Sequence, residues 1–515
     1  MENFKIYKSL SGLQNMKWSI TGKGILTGFV SGLLVVFYRI GIEYGTETSL
    51  KIYTYLKDQP LMILPWMVLL LLLGIFVYWL LKLEPMASGS GIPQVKGIVL
   101  YGFKIKWYFI LLVRFLAGIL SAFTGVSLGR EGPSIQIGAS GSQAAASKIS
   151  KNKLEENYLI TGGAAAGLSA AFNAPLSGIV FALEEVHRSF SPLVLIAATT
   201  ASLTADVVSK YFFGLKPVLS YVSIPQLPVT LYIWLLPLGL LSGVLGAFLN
   251  KALLQSQVIY QKLPPIIRPF LAFMIAVPCG LFLPQVLGGG QNLIRISEEA
   301  STGILMLSVF LVVKLIFTCT SFGSGIPGGI FMPILTIGAL FGSLFGVLLS
   351  ATFVPGEYIA VFCVCAMAGA LSGSVKAPVT SILLMAEMTG SLVHLLPVAA
   401  CSFIALLSSD LLKVPPIYEA LLERTMKNNS EAAESHKQGA LLEIPVEIGS
   451  DASGRKISDI SWPKGSLVAG VHRGDGDIIP NGNTVLLPGD YLVIVSSDRK
   501  YRELNSAIRA LCHSK

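Results

Sequence analysis

Three glycine-rich motifs in this hydrophobic chain carry groups that could bind a dissolved ion. Gly129-Arg-Glu-Gly-Pro133 places a carboxylate at the expected start of a helix, with Pro133 suited to the first turn. Free N–H groups and the helix dipole make such an end attractive to anions. A carboxylate fixed there competes with an anion from solution, and one that takes a proton or swings away acts as a gate. Glu131 is therefore a candidate gate. Gly89-Ser-Gly-Ile-Pro93 offers the Ser90 hydroxyl as a donor, beside two glycines that let backbone approach an ion closely. Gly328-Gly-Ile-Phe-Met-Pro333 again sets pliant backbone before a helix, with the amides of Ile330 and Phe331 as donors. None of these ends needs a cationic side chain. Dipoles hold an ion weakly enough to release it, as transport requires.

The elements that must position these motifs are membrane-spanning helices. Of the 515 residues, 53% are apolar and 13% charged, with a mean hydropathy of +0.68. Typical soluble domains carry about 25% charged residues, so this is an integral membrane protein and neither a secreted module nor a disordered scaffold. Residues 1–422 hold 26 Lys and Arg against 17 Asp and Glu, whereas residues 423–515 hold 12 of each. The +9 excess thus lies in the membrane part, where it fits cytoplasmic loops better than a nucleic-acid patch. Met1–Lys23 lacks the apolar core of a signal peptide and reads as a short cytoplasmic amphipathic segment. Leu61–Leu81 is a 21-residue uncharged run, long enough to span. Further expected spans are Ile25–Ile42, Trp107–Phe123, Pro192–Phe213, Leu231–Leu249, Ile267–Leu283, Ile304–Thr320, Ile330–Phe353, Ile359–Leu371 and Leu395–Leu412. Ser88–Pro93, Gly129–Pro133, Gly162–Pro175 and Gly323–Pro333 read as breaks. Within a bilayer, irregular backbone survives where protein or a watery cavity satisfies it.

An internal repeat organises these breaks. Pro133–Ala139 matches Pro333–Ala339 at an offset of 200, and Ala174-Pro175, Ile179 and Glu184 match Ala377-Pro378, Ile382 and Glu387 at 203. Paired interruptions in two halves point to a binding site between the repeats of a transporter. The sequence leaves open whether the halves are parallel or inverted.

Together the three motifs resemble the CLC family of chloride channels and chloride/proton exchangers, over about residues 20–422. Gly162–Glu185 and Lys413–Tyr418 extend the likeness. The resemblance implies a multi-span α-helical fold of two inverted repeats with broken helices, assembled as a homodimer with one anion path per subunit. It implies that Ser90 and Tyr418 donate hydroxyls to chloride, that the amides of Ile330 and Phe331 complete that site, and that Glu131 is the external proton glutamate. It also makes Glu185 the internal proton glutamate. The alternative for Glu185 is a solvated carboxylate paired with His187 or Arg188.

Departures from the best-known exchanger pattern follow Gly89–Pro93. Gln94 and Lys96 stand where some bacterial exchangers carry acids, so Lys96 alters the proton route if it lies near Glu185. By the same resemblance, Ser90 in place of proline implies chloride over nitrate. Glu387 reads as a structural carboxylate, and Arg130 as a neutraliser of nearby carboxylates. Arg114 and Lys314 either raise the potential along an anion path or snorkel and pair. The six cysteines look like small core residues. No spacing suggests a metal, no phosphate loop is present, no cofactor is expected, and no nucleophile with its base supports an enzyme.

Thr425–Gly439 reads as part of a linker at 423–440 between a transport domain at 1–422 and a tail domain at 441–515. Short alternating runs at Leu442–Ile448, Leu467–Val471, Thr484–Leu486 and Tyr491–Ser496, with Arg499–Cys512 as a helix, give a small α+β module. Ile457–Ser497 resembles the C-terminal subdomain of potassium-conductance regulators (RCK_C, or TrkA-C). That likeness implies a cytoplasmic dimerising module that binds a small ligand such as cyclic di-AMP, with His472 and Arg473 as candidate contacts; a purely stabilising module is the alternative. The expectation is a proton-coupled chloride antiporter, its partners chloride, protons and membrane lipid, with no nucleic acid, in a bacterial plasma membrane. A passive chloride channel is the alternative, and a fluoride or other anion exchanger a more distant one.

Overall fold

The computed structural model describes residues 2–151, 153–188, 190–219, 225–298, 302–433, 440–447, 449–473, 476–496, 507–508 and 510–512. The chain divides into two compact units, Ile20–Thr425 and a second comprising Met1–Ser19 with Met426–Lys515. In the first half, α1 (Glu2–Asp58), α2 (Ile63–Leu83), α3 (Ile92–Tyr101) and α4 (Trp107–Thr124) lead to α5 (Glu131–Ile149), α6 (Lys153–Phe172), α7 (Pro175–Phe181) and α8 (Pro192–Phe213). The second half runs through α9 (Leu235–Gln261), α10 (Ile267–Phe282), α11 (Gln291–Glu298), α12 (Ile304–Gly323), α13 (Phe331–Ser350), α14 (Ile359–Val375), α15 (Pro378–Thr389), α16 (Leu395–Leu411) and α17 (Ile417–Ala433).

Eight helical segments among the described residues are long and apolar enough to cross a bilayer. The expected spans at Ile267–Leu283 and Leu395–Leu412 form helices of 16 and 17 residues, just under that length. The N-terminal polar segment is not a separate element, because α1 is continuous from Glu2 to Asp58. The break expected across Gly162–Pro175 is confined to Asn173 and Ala174, since α6 runs on to Phe172. Glycines there serve packing: a Cβ on Gly163 would strike Ser142 and the Gly138 carbonyl of α5.

The repeat is written in the backbone. Ala174 and Ala377 cap α7 and α15 with φ/ψ of −126/76 and −121/77, each followed by proline. Gly129 and Gly329 exchange two N–H···O bonds of 2.7 Å as an isolated antiparallel bridge. Equivalent residues thus meet across a local two-fold. Packing repeats likewise: α5–α6 and α6–α8 in one half correspond to α13–α14 and α14–α16 in the other. Two glutamates bind the halves reciprocally. Glu387 accepts from the amides of Leu176 and Ser177 at 3.0 and 2.8 Å, and Glu184 accepts from the Thr380 amide at 2.9 Å. Each carboxylate supplies a helix start with the cap its sequence lacks, which gives Glu387 the structural role expected.

In the other unit, β1 (Ala440–Pro445), β2 (Ser466–Arg473), β3 (Gly476–Ile478) and β4 (Tyr491–Ser496) form an antiparallel sheet of order β1-β4-β2-β3. Ile444, Val471, Leu486, Leu492, Ile494, Ile508 and Cys512 form its core. Thr484–Leu486 is not a strand of the sheet but bonds to residues 454–457, with an isolated Lys456–Val485 bridge. The Asp475-Gly476 turn signal hid β3, which pairs with β2 as a hairpin. Part of the expected linker is helical, since α17 runs to Ala433, and residues 434–439 lie outside the described residues. So does most of the expected Arg499–Cys512 helix, of which 507–508 and 510–512 are helical.

Candidate functional site

The three motifs converge at buried helix starts. α3, α5 and α13 begin within them, at Ile92, Glu131 and Phe331, and none has a side-chain cap. Their first amides are outside the helical ladder and remain available as donors. A Cβ on Gly132 would lie 2.5 Å from the Ser90 carbonyl and 2.6 Å from Ser90 Oγ, which brings the first and second motifs into contact. A Cβ on Gly329 would lie 2.9 Å from the Gly132 amide, which adds the third.

Buried cations fix this backbone. Arg114, fully buried on α4, donates to the Gly89 carbonyl at 2.6 Å and to Gln136 at 2.5 Å. Gly91, at φ +96, turns the chain over that guanidinium, where a side chain would clash. Lys314, also fully buried, donates to the carbonyls of Val286 and Gly288 at 2.8 and 2.7 Å. Neither cation snorkels, and each organises loop carbonyls.

Three polar atoms here lack what buried polar atoms normally have. Ser90 Oγ and Tyr418 OH have only each other as polar side-chain neighbours, and with Glu131 Oε2 they are buried without a well-formed hydrogen bond among the described residues. An orphan of this kind costs about 1–3 kcal/mol, so three together need a reason. Tyr418, in the first turn of α17, is fully buried, and its hydroxyl neighbours Ser90 and feels the charges of Glu131 and Glu185. Ile330 caps α13 and Phe331 opens it, both buried, with the Phe331 ring against Phe172 and Phe181. Glu131 opens α5 at 2% exposure, and its carboxyl lies among the backbone amides of Arg130, Glu131 and Met332. It folds back over Gly129, where any Cβ would collide with it.

A cavity of about 300 Å³ leads to Glu131, lined also by Tyr38, Glu43, Arg130, Gly289 and Met332. Glu43 bonds Arg130 at 2.5 Å and Arg39 at 3.1 Å. Arg130 thus does neutralise a carboxylate, though one on α1. Sequence reasoning passed over Glu43 and Met332. The Arg39/Glu43 pair, four residues apart inside an apolar run, was a readable signal. The Met332 amide had none beyond its place after Phe331.

Glu185 lies in a π-helical turn, Ala182–His187, at 3% exposure. Its partner is Lys96 of α3 at 2.9 Å, and not His187 or Arg188. Lys96, fully buried, also pairs with Glu419 at 2.8 Å, and Glu419 pairs with Arg188 at 2.9 Å. His187 instead meets the Thr161 hydroxyl at 3.0 Å. Gln94 donates to the Ser88 carbonyl at 2.9 Å.

In the sheet unit, Arg473 makes a two-pronged pair with Asp490 at 2.7 and 2.6 Å. These bonds raise its basicity above the ordinary value. Two of its nitrogens are therefore committed within the domain. His472 pairs through its backbone with Asp477 and Tyr491 on the neighbouring strands. Among the described residues no cluster of His, Cys, Asp or Glu has metal-binding geometry.

A sequence model of the voltage gated chloride channel family matches residues 69–410. The chain belongs to that family. A TrkA-C domain model matches residues 441–509 of this CLC protein. The H(+)/Cl(-) exchange transporter ClcA of Vibrio campbellii is 34% identical over 434 residues, covering 80% of this chain and 91% of that protein. ClcA of Yersinia pseudotuberculosis is 32% identical over 426 residues, covering 79% of this chain and 88% of its own. Among solved structures, a slow cyanobacterial Cl−/H+ antiporter superimposes with a TM-score of 0.74 at 28% identity, covering 79% of this chain and 98% of that one. A CLC-type fluoride/proton antiporter shares the fold, with a TM-score of 0.61 at 24% identity and coverage of 78% and 96%. The two-fold related halves are thus the inverted repeats of the CLC architecture.

Proposed function

We propose that this protein exchanges chloride for protons across a bacterial plasma membrane. The observation that carries the reading is the set of buried atoms without a well-formed hydrogen bond, Ser90 Oγ, Tyr418 OH and Glu131 Oε2, at uncapped helix starts. The two hydroxyls and the amides of Ile330 and Phe331 are donors that a dehydrated chloride would satisfy. Glu131 is the built-in competitor. While ionised, its carboxylate stays with the amides of Arg130, Glu131 and Met332; once protonated, it loses that attraction and moves toward the cavity with its proton. Chloride then takes the vacated amides. Repetition of this exchange couples the two ions. Glu185 passes protons at the opposite end of the route.

Residues 1–422 form the transport domain in this reading, joined by 423–440 to a cytoplasmic regulatory domain at 441–515, in a homodimer. The TrkA-C match supports ligand control, with a cyclic dinucleotide such as cyclic di-AMP as the specific form and His472 and Arg473 as contacts. Titration of the purified full chain with cyclic di-AMP tests it. Saturable binding weakened by His472→Ala supports this part, and no binding refutes it.

The exchange reading is tested with Glu131→Gln, which mimics the neutral acid. Radiochloride flux in proteoliposomes should persist in the variant while chloride-driven proton movement disappears. A variant that still moves protons would refute the gate assignment.

A further inference from the structure

The four charges around Lys96 form a closed set. Lys96 on α3 is fully buried and touches two carboxylates, Glu185 at 2.9 Å and Glu419 at 2.8 Å. Arg188 completes the set at 2.9 Å from Glu419. With all four groups ionised the cluster is neutral. The two acids are not equivalent: the side chain of Glu185 is 4% exposed and has one cation, whereas that of Glu419 is 23% exposed and has two.

Proton uptake by Glu185 removes one negative charge. A buried ammonium left without a partner is strongly destabilising. Glu419 prevents that state, because Lys96 keeps an ionised partner when Glu185 becomes neutral. The other groups near Glu185 are placed otherwise. On its own segment Glu184 is taken by Thr380, and His187 faces Thr161 of α6. On α8, Asp206 and Lys210 pair with each other. On α17, Tyr418 lies beside Glu419 in sequence and senses the Glu185 charge.

We propose that Glu419 is a positioning residue for proton transport, a permanent counter-ion to Lys96 that permits Glu185 to take and release its proton. The inference deepens the exchange reading and rests on it. Neither Glu419 nor Lys96 is among the groups assigned to the anion. Together they set the pH range in which the inner end of the proton route works.

The test measures chloride-driven proton flux in proteoliposomes of the full chain as the pH on the Glu185 side is varied. Removing the negative charge with Glu419→Gln leaves Lys96 dependent on Glu185, so the half-maximal pH should fall. An opposite charge at this range is worth about one to three pH units, and the shift should be one unit or more. Lys96→Met removes the cation that favours the ionised acid, so its half-maximum should rise. Glu419→Asp should return the profile toward wild type. If Glu419→Gln does not assemble, Lys96→Met combined with Glu419→Gln carries the same test and should match Lys96→Met alone.

An unchanged profile in Glu419→Gln, or a shift in the same direction as Lys96→Met, would overturn the inference. So would an equal loss of chloride and proton flux, which marks a merely structural carboxylate. A wild-type protein that moves chloride without protons would remove the exchange reading itself, an outcome separable from failure of the variants alone.

Discussion

Gly132 stands where a single methyl group tests whether the first and second motifs share one site. In Gly132→Ala the new Cβ would lie 2.5 Å from the Ser90 carbonyl oxygen and 2.6 Å from Ser90 Oγ, where ordinary contacts begin at 3.4 Å. The overlap is about 0.9 Å against backbone, so no side-chain rotation relieves it. Backbone retreat is resisted as well, because Arg114 holds the neighbouring Gly89 carbonyl at 2.6 Å. Overpacking of this kind costs about 1–3 kcal/mol. The displaced Ser90 hydroxyl also loses its alignment with the anion, a charge-assisted bond of about 1.5–3 kcal/mol. The affinity for chloride should therefore fall about tenfold or more, since 1.4 kcal/mol is tenfold. Titration calorimetry on the detergent-purified variant measures it, with chloride flux in proteoliposomes alongside. Gly346→Ala is the control: its Cβ would stand 3.2 Å from Ile359, in the same fold but away from the three motifs. A folded Gly132→Ala protein with chloride affinity and flux within twofold of wild type would refute the reasoning.

Adjacent acids should behave differently. Glu185→Gln should abolish proton coupling, whereas Glu184→Gln, which keeps an oxygen for Thr380, should leave the chloride-to-proton ratio unchanged and cost about 1 kcal/mol of stability; flux ratios and thermal unfolding check both. Arg114→Met strips the Gly89 carbonyl of its charge-assisted bond and leaves Gln136 Oε1 without its donor, so it should lower the unfolding temperature and the chloride affinity together, as followed by fluorescence melting and calorimetry. In the tail, Asp490→Ala removes the two-pronged bond to Arg473 and the 2.7 Å bond from the Leu487 amide. Because Arg473 is about one-third exposed, the loss should be about 1–3 kcal/mol. Limited proteolysis of the full chain should then cut residues 441–515 faster.

Local motifs and repeat offsets were legible because the physics behind them is local. A helix start is marked by glycine and proline, and a repeated chain repeats its dihedrals, as Ala174 and Ala377 show. Partnerships across the fold were not legible. Lys96 and Glu185 are 89 residues apart, and the π-helical turn that aims Glu185 has no sequence signal. The reciprocal capping by Glu184 and Glu387 follows from the local two-fold, which residue order alone does not reveal. The glycines of Gly162–Gly167 were misread as a break because close helix packing and backbone turning call for the same residue. In the tail, a turn signal at Asp475-Gly476 outweighed a strand of three residues.

The central claim is that one pathway obliges chloride and protons to move in opposite directions. The direct test holds the membrane potential near zero in proteoliposomes, imposes a chloride gradient at equal pH on both sides, and records the internal pH. The account predicts that protons move uphill, driven by chloride, and that Glu131→Gln and Glu185→Gln each abolish the movement. Chloride flux with a constant internal pH would contradict it, making the protein a passive channel and Glu185 a structural partner of Lys96.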